Sequence, residues 1–269
     1  MQPILSTFNH LRAAGRKALI PFLMGGDPDL ATTRQLLVAL EDSGADLLEV
    51  GIPFSDPLAD GPVIQAASAN ALAQGVTPAR VLELLASLRH RIKVPMVCLS
   101  YWNPILQFGH QGSRERPRAF VRAAVASGVS GVIVPDLPVE EGWRLEHTAT
   151  PAGLATVFLA APTSPPDRLR AIARASHGFI YYVSVTGTTG ARRQLPPTVV
   201  HGVGQLKLLT TTPVCVGFGI STPRQASMVA RVADGVIVGS ALIQAIGRAK
   251  GRMAAHRAQQ FLRRLRRAV

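Results

Sequence analysis

Eight short apolar runs, each followed by a segment with helical periodicity, constrain the fold more than any other feature of the sequence. The runs are rich in valine, isoleucine and leucine and have glycine or proline near their ends, as buried parallel strands do. Several of the helical segments begin with a hydroxyl side chain followed by proline, which is typical of a helix start. The runs cover residues 18–23, 46–51, 94–101, 131–136, 154–161, 179–185, 213–219 and 235–241.

This alternation predicts an α/β fold in which eight strand–helix units close into a single (β/α)8 barrel. No linker or change of composition separates the units, so we expect one domain over residues 1–269, ending in a basic helix over about 242–269. A doubly wound sheet is the alternative, but such sheets usually have five or six strands. The residues MGGDP after the first run also lack the GxGxxG pattern of the dinucleotide-binding members of that class.

Composition excludes several other classes of protein. The chain of 269 residues is 47% hydrophobic, which is enough for a large core, yet no apolar run is long enough to predict a membrane span. We expect no secretory signal, because no apolar segment follows a basic start. Cys98 and Cys215, the only two cysteines, each lie inside an apolar run, which predicts reduced thiols and a cytoplasmic protein. The seven histidines are scattered, so no metal site is predicted.

The net charge of +13 is unevenly distributed. Residues 1–167 contain 13 Lys and Arg and 15 Asp and Glu, whereas residues 168–269 contain 16 Lys and Arg and a single acid, Asp234. One interpretation is a solvated basic helix at the C-terminus, with apolar residues along its other face. The alternative is a scaffold barrel whose basic third binds nucleic acid or an acidic protein. No nucleic-acid-binding motif supports that alternative, so nucleic acid is not an expected partner.

One carboxylate lies near the end of the second apolar run and another in the loop that follows, where barrel enzymes place their catalytic groups. Glu49 is near the end of this run, and an apolar barrel mouth raises the pKa of a carboxyl into the range of a proton donor near neutral pH. The alternative is a structural glutamate bonded to backbone amides. Asp60 lies eleven residues later in a proline-rich loop and can accept a hydrogen bond from a substrate N–H. Asp56, between Ser55 and Pro57, either holds the turn or makes a contact between loops.

Glycine-rich segments at the ends of the last two runs predict a phosphate site. Gly217 and Gly219 end the seventh run, and Gly239 and Ser240 end the eighth. Loops at these places in such barrels often bind phosphate, because glycine lets backbone N–H groups approach and a short helix N-terminus adds positive potential. Residues 187–193, GTTGARR, form a third loop rich in glycine and threonine.

These segments resemble the tryptophan synthase alpha chain family. EVGIPFSDPLADGPVIQ at 49–65 resembles the family signature almost letter for letter, and further segments follow in the family's order. They are PFLMGGDPD (21–29), SYWNPIL (100–106), VPDLPVEE (134–141), APTSPPDRL (161–169), YYVSVTGTTGAR (181–192), GFGIS (217–221) and VGSA (238–241). The resemblance implies a TIM barrel with extra N-terminal and loop helices. It also implies a lyase of tryptophan biosynthesis, placed by convention among the carbon–oxygen lyases, that cleaves indole-3-glycerol phosphate to indole and glyceraldehyde 3-phosphate.

The resemblance implies roles for individual residues. Glu49 matches the family's acid and base at indole C3 and the adjacent hydroxyl, and Asp60 matches the carboxylate that binds the indole N–H. Tyr181 matches a tyrosine that supports the site. Asp56 and Thr189 match positions that meet when two loops close over the substrate. The matches to the indole walls and to the substrate and phosphate contacts are Phe22, Leu99, Thr189, Gly190, Gly217, Phe218, Gly219, Gly239 and Ser240.

The resemblance also implies a partner, and no cofactor in this chain. Family members join a beta chain, which contains pyridoxal phosphate and receives the indole, in an alpha2beta2 tetramer. The surfaces that face this partner match residues 53–60, 103–104 and 136–138. A standalone lyase that releases free indole has the same catalytic residues and stays the alternative. The sequence departs from the family pattern in a longer, more basic segment at 110–120 and in its basic C-terminal tail.

Overall fold

The computed structural model describes residues 3–109, 117–184, 195–217 and 219–269. Helices and strands alternate along these residues, and no described helix has the length and apolar character needed to span a bilayer. The helices are α1 (Pro3–Ala13), α2 (Leu30–Glu41), α3 (Pro62–Ala73), α4 (Pro78–Leu88), α5 (Trp102–Gln107), α6 (Arg118–Ala126), α7 (Trp143–Ala149), α8 (Pro166–Ala175), α9 (Pro197–Leu209), α10 (Pro223–Ala230), α11 (Ser240–Ile246) and α12 (Gly251–Arg266), with a 3-10 turn at Val139–Glu141. The strands are β1 (Ala18–Met24), β2 (Leu48–Gly51), β3 (Met96–Leu99), β4 (Val129–Ile133), β5 (Ala155–Val157), β6 (Leu159–Ala160), β7 (Ile180–Val183), β8 (Val214–Gly217) and β9 (Gly235–Val238).

In the described residues, nine parallel strands form one sheet in the order β5-β4-β3-β2-β1-β9-β8-β7-β6. The fifth predicted strand is interrupted, because Phe158 separates β5 from β6. The Phe158 carbonyl accepts a hydrogen bond from Tyr181 N at 3.0 Å. β5 pairs with β4 and β6 pairs with β7, so the interrupted strand joins the two ends of the sheet. The sheet is therefore a (β/α)8 barrel, and the predicted fold class is confirmed.

Helix α1 closes the barrel at the end where the strands begin. Its residues Ile4, Phe8 and Leu11 are buried and pack with the apolar side chains of the barrel interior. The Phe8 ring lies 6.2 Å from the ring of Phe179, which comes just before β7. A Cβ added to Gly131 of β4 would lie 3.0 Å from Ile4 Cδ1, so the helix sits tightly against the strands. A functional site is therefore expected at the opposite end, where the strands finish.

Two aspartates fasten the end of the barrel that α1 closes. Asp46 lies just before β2 and accepts hydrogen bonds from Leu19 N at 2.8 Å and from Arg266 Nη1 at 2.6 Å. Asp234 lies just before β9 and accepts a hydrogen bond from Val214 N at 3.0 Å. Each carboxylate thus links its own strand to a neighbouring one. Asp46 also holds the C-terminal end of α12 against the barrel.

The basic C-terminal segment consists of two helices, α11 and α12, and not of the single helix predicted over about 242–269. Gly247 ends α11 with a φ of 58°, a left-handed conformation that favours glycine and interrupts the helical hydrogen bonds. α12 then packs along α2, and Gly251 N donates to Thr32 Oγ1 at 3.0 Å. The expectation of one domain over residues 1–269 stays a prediction.

We expect Arg266→Met to lower the free energy of unfolding by about 2 kcal/mol, because it removes the partly buried cation that pairs with Asp46. The Arg266 side chain is 17% exposed and that of Asp46 is 11% exposed, so water replaces the lost bond only in part. Chemical denaturation followed by circular dichroism measures the change. Arg263→Met, on the exposed side of the same helix, is the control and should change stability by less than about 0.5 kcal/mol. Equal effects of the two variants would contradict the role of this ion pair.

Candidate active site

Glu49 is a carboxylic acid inside the apolar barrel. In the strand register it lies in β2 beside Phe22 of β1 and Val97 of β3, and it is 1% exposed. Its Oε2 atom is buried with no hydrogen-bond partner among the described residues, which does not fit a structural glutamate held by backbone amides. Burial, and then the negative charge of Asp60, raise the pKa of Glu49 to about 8, because both disfavour the ionised form. The side chain therefore holds a proton at neutral pH and can donate it.

Asp60 lies at the mouth of the barrel, in the loop that leads from β2 to α3. This loop is ordered by hydrogen bonds from Asp60 N to Pro57 O at 3.0 Å and from Gln65 Nε2 to Asp60 O at 2.8 Å. Partial burial raises the pKa of Asp60 to about 6, and a hydrogen bond from Tyr101 opposes this rise. At pH 7 the site therefore pairs an ionised Asp60 with a protonated Glu49. Two carboxyl groups in different protonation states are suited to different roles in one reaction.

Tyr101, which sequence reasoning does not single out, fixes the loop that carries Asp60. Its ring lies 5.3 Å from the ring of Phe54, and its Oη accepts a hydrogen bond from Ala59 N at 2.9 Å. The hydroxyl proton is then available to the Asp60 carboxylate, to which Tyr101 is hydrogen-bonded. A positional signal was present in the sequence, since Tyr101 ends the third apolar run at the side where barrels place functional residues.

Phe22 and Leu99, the predicted apolar walls, both lie next to Gly51. A Cβ added to Gly51 would come within 2.8 Å of the Phe22 ring, and one added to Gly239 within 3.2 Å. Leu99 pairs with Gly51 at the end of β3 and is half-buried. The two glycines thus leave room for the Phe22 ring one strand away from Glu49. The structure brings both predicted walls to the mouth of the barrel.

Tyr181 lies inside the barrel, where the charges of both carboxylates act on its hydroxyl group. Its hydroxyl occupies the space in front of Gly217, where any added Cβ would collide with it. Burial first, and then the charges of Glu49 and Asp60, raise the pKa of Tyr181 well above its usual range. The phenol therefore stays protonated, and Tyr181 lies close enough to both acids for their charges to act on it.

The glycine-rich strand ends lie side by side, because β8 and β9 are neighbours in the sheet. Gly217 is the last residue of β8, and Gly219 has a φ of 75°, a conformation that favours glycine. Gly239 is the N-cap of α11 and Ser240 is its first residue, so backbone N–H groups without helical partners lie at this end of the barrel. Among the described residues, no group of three or more His, Cys, Asp and Glu side chains can hold a metal ion.

Asp56 is a turn residue in the structure. Its side chain is exposed and accepts a hydrogen bond from Ser55 Oγ, and its carbonyl accepts one from Leu58 N at 2.9 Å. The predicted contact with Thr189 on loop closure stays a prediction, because Thr189 lies outside the described residues. Other predicted positions outside the described residues are Gly190, Phe218 and, within the basic segment at 110–120, residues 110–116.

Comparisons with known proteins agree with one another over nearly the whole chain. The family model described as tryptophan synthase alpha chain matches residues 8–269. The chain is 50% identical over 266 residues to the tryptophan synthase alpha chain of Gloeobacter violaceus, covering 98% of this chain and 94% of that protein. It is also 50% identical over 267 residues to the tryptophan synthase alpha chain of Prochlorococcus marinus, covering 99% and 94%.

Solved structures give the same result for the fold. The crystal structure of tryptophan synthase subunit alpha from Legionella pneumophila has a TM-score of 0.89 at 37% identity and covers 100% of this chain and 98% of that one. A chain of the aminoacrylate-bound tryptophan synthase from Mycobacterium tuberculosis has a TM-score of 0.88 at 34% identity, with 100% of both chains covered.

We expect Tyr101→Phe to raise the pKa of Asp60 above its value of about 6, because the variant removes the hydrogen bond that favours the ionised carboxylate. Carbon-13 NMR of the aspartate carboxyl groups, assigned with Asp60→Asn, measures the titration. Tyr182→Phe is the control, since the Tyr182 hydroxyl donates to Thr198 O at 3.3 Å and not to Asp60. An unchanged Asp60 titration in Tyr101→Phe would show that the carboxylate is held by other groups.

Proposed function

Because the chain belongs to the tryptophan synthase alpha chain family, we propose that Glu49 and Asp60 carry out the cleavage of indole-3-glycerol phosphate to indole and glyceraldehyde 3-phosphate. This cleavage, a step of tryptophan biosynthesis, is the activity of the family, and the chain is an enzyme of that kind. The observation that supports the residue assignment is the pair of carboxyl groups at one barrel mouth. Glu49 is protonated and Asp60 is ionised at neutral pH.

Glu49 supplies the proton that makes the indole ring a leaving group. Direct cleavage of the bond between indole C3 and the side chain would leave a carbanion on the ring, so C3 is protonated first. The Glu49 carboxyl donates this proton and the ring becomes an iminium-like indolenine, which accepts the electron pair of the breaking bond. The Glu49 carboxylate then takes the proton of the side-chain hydroxyl, whose oxygen becomes the aldehyde oxygen. One group thus acts first as acid and then as base.

Asp60 stabilises the positive charge that appears at the ring nitrogen. Its carboxylate accepts a hydrogen bond from the indole N–H, and this bond strengthens when C3 is protonated and N1 becomes more acidic. The reaction needs Asp60 ionised and Glu49 protonated, so the active form predominates between the pKa of about 6 and the pKa of about 8. Because the two charges interact, these values describe the titration of the pair.

The substrate is held between an apolar wall and the glycine-rich strand ends in this proposal. Phe22 and Leu99 pack against the indole ring, and Tyr181 donates a hydrogen bond within the site. Proximity and orientation then supply much of the rate, with no cofactor in this chain. The backbone N–H groups that bind the phosphate belong to the glycine-rich positions Gly190, Gly217, Phe218, Gly219, Gly239 and Ser240. Asp56 and Thr189 meet when the loops close over the substrate, and Thr189 also contacts it.

A beta chain is the proposed partner, in an alpha2beta2 tetramer, and receives the indole. Leu58, in the segment that the resemblance assigns to the interface, is 91% exposed and can offer an apolar side chain to the partner. A standalone lyase remains the second candidate, because it uses the same catalytic residues. Both candidates are cytoplasmic in this proposal, and the buried free thiols of Cys98 and Cys215 fit a reducing compartment.

We expect Glu49→Gln to lower turnover of indole-3-glycerol phosphate by about 1,000-fold, because glutamine keeps the shape of the side chain but cannot donate the proton. Asp60→Asn should lower it by about 100-fold through weaker stabilisation of the ring cation. Steady-state release of indole measures both, and calorimetry should show that the substrate still binds. Glu83→Gln, an exposed acid on α4, is the control and keeps a near-normal rate. Retention of most of the turnover in Glu49→Gln would refute the assignment of the acid.

We expect a purified tryptophan synthase beta chain to co-elute with this protein and to raise its rate of cleavage. Leu58→Asp should weaken that complex, because it places a charge in the proposed apolar contact. Leu208→Asp, at a leucine of α9 that is 89% exposed, is the matched control and should leave the complex intact. If no complex elutes and turnover does not change on mixing, the protein is a standalone lyase.

A further inference from the structure

A groove lined by arginines runs along the outside of the barrel beside α12. It has a volume of about 500 Å³. Ala245 of α11 forms one wall, and α12 lines the rest with Arg257, Gln260, Phe261, Arg263, Arg264 and Arg267, the last lying just beyond the helix end. We call this cavity the arginine groove. None of these residues is part of the candidate active site.

Helical spacing places the arginines on one side of α12. Arg257, Arg264 and Arg267 follow one another at intervals of seven and three residues, so they lie on one face. The opposite face is buried through Ala254, Ala258, Leu262 and Leu265, and α12 packs along α2. Because only the other face of α12 is buried, the arginines stay exposed and line the groove.

The arginines of the groove lack acidic partners among the described residues. The side chains of Arg263, Arg264 and Arg267 form no ion pair or hydrogen bond with any described residue. Arg257 donates one hydrogen bond, to Ile246 O at 3.0 Å, and has no ion pair within the described ranges. Arg266 is the contrast on the same helix, since it bonds to Asp46 Oδ2 at 2.6 Å and to Lys17 O at 3.1 Å. Arg266 is therefore occupied by contacts within the protein, whereas the other four arginines have N–H donors that no described residue accepts.

No acidic side chain lies near the groove in the sequence. Residues 235–269 contain no Asp or Glu, although they contain eight Lys and Arg. Four exposed guanidinium groups around one concave surface repel each other, and water and salt screen part of this repulsion. A bound anion would attract all four guanidinium groups and offset their mutual repulsion.

We propose that the arginine groove binds a small molecule that carries two or more phosphate groups. A guanidinium group offers paired N–H donors that match phosphate oxygens, and several such groups in one groove suit a chain of phosphates. The volume of about 500 Å³ is in the range of small-molecule sites. The site is independent of the proposed lyase activity, because Arg266 and Asp46 fix this end of α12 to the barrel end opposite the strand-end site.

The same features disfavour larger anionic partners. Binding of single-stranded nucleic acid usually combines a basic track with several stacking aromatic rings, and the groove offers only Phe261, which is half-buried. An amphipathic helix that lies on a membrane needs an exposed apolar face. On α12 the only large apolar side chain that is mostly exposed is Met253, which is 61% exposed.

Calorimetric titration with sodium tripolyphosphate at about 50 mM salt tests the proposal, since salt screens exposed charges. We expect wild-type protein to bind it in the micromolar range, and Arg264→Gln/Arg267→Gln to weaken binding at least about tenfold, because two charge-assisted contacts are lost. Arg118→Gln/Arg174→Gln, on α6 and α8, removes the same charge elsewhere and should change affinity by less than about twofold. Thermal midpoints of both double variants confirm that they are folded.

Parallel titrations define the ligand. ATP binding as tightly as tripolyphosphate shows that the groove recognises the phosphates alone, and tighter ATP binding shows that it also contacts the nucleoside; both results support the proposal. Citrate of similar charge should bind at least about fivefold more weakly, because phosphate matches the guanidinium fork better. The proposal fails if wild-type protein does not bind either polyphosphate. It also fails if the two double variants lose affinity equally, if the groove variant binds like wild type, or if a 20-nucleotide RNA binds the groove more tightly than tripolyphosphate.

Discussion

Burial of a single carboxyl group inside the barrel is the constraint on which the site depends. An ionised carboxylate without a partner is very costly in an apolar interior, so Glu49 keeps its proton at pH values where an exposed glutamate has lost it. Asp60 is nearer to solvent and bonded to Tyr101, so it ionises about two pH units earlier. In the proposed reaction, this difference in surroundings, and not in chemical type, allows two carboxylic acids to take opposite roles. The apolar residues around Glu49 are therefore as important to the proposed chemistry as the acid itself.

The two ends of the barrel use acidic residues for different purposes. At the end where the strands begin, Asp46 and Asp234 accept hydrogen bonds from backbone N–H groups of neighbouring strands and from cations. Their charges are neutralised, and they hold the barrel closed. At the other end, Glu49 and Asp60 have no cation in their immediate surroundings among the interactions that shift their pKa values. Carboxylates that stabilise the barrel and the carboxylates of the proposed reaction thus lie at opposite ends of the barrel.

Much of this arrangement could be predicted from the sequence, because it depends on local patterns. The apolar runs predict the strands, and the position of Glu49 near the end of one run predicts a site residue. Contacts between distant segments could not be predicted in this way. Tyr101 reaches Asp60 from another strand end, and the break of one strand at Phe158 depends on how the sheet closes. The end of α11 at Gly247 depends on a backbone angle that a basic, helix-forming composition conceals.

Helix α1 contributes no candidate catalytic residue, yet it is part of the apolar interior that surrounds one. Ile4, Phe8 and Leu11 pack in one buried apolar cluster with Val97 and Tyr181, and Val97 lies beside Glu49 in the strand register. This cluster closes the end of the barrel where the strands begin, and it adds to the burial that raises the pKa of Glu49. A glutamate on a protein surface, without such surroundings, loses its proton well below neutral pH. A segment more than 35 residues before Glu49 in the sequence is therefore part of the apolar surroundings of this acid.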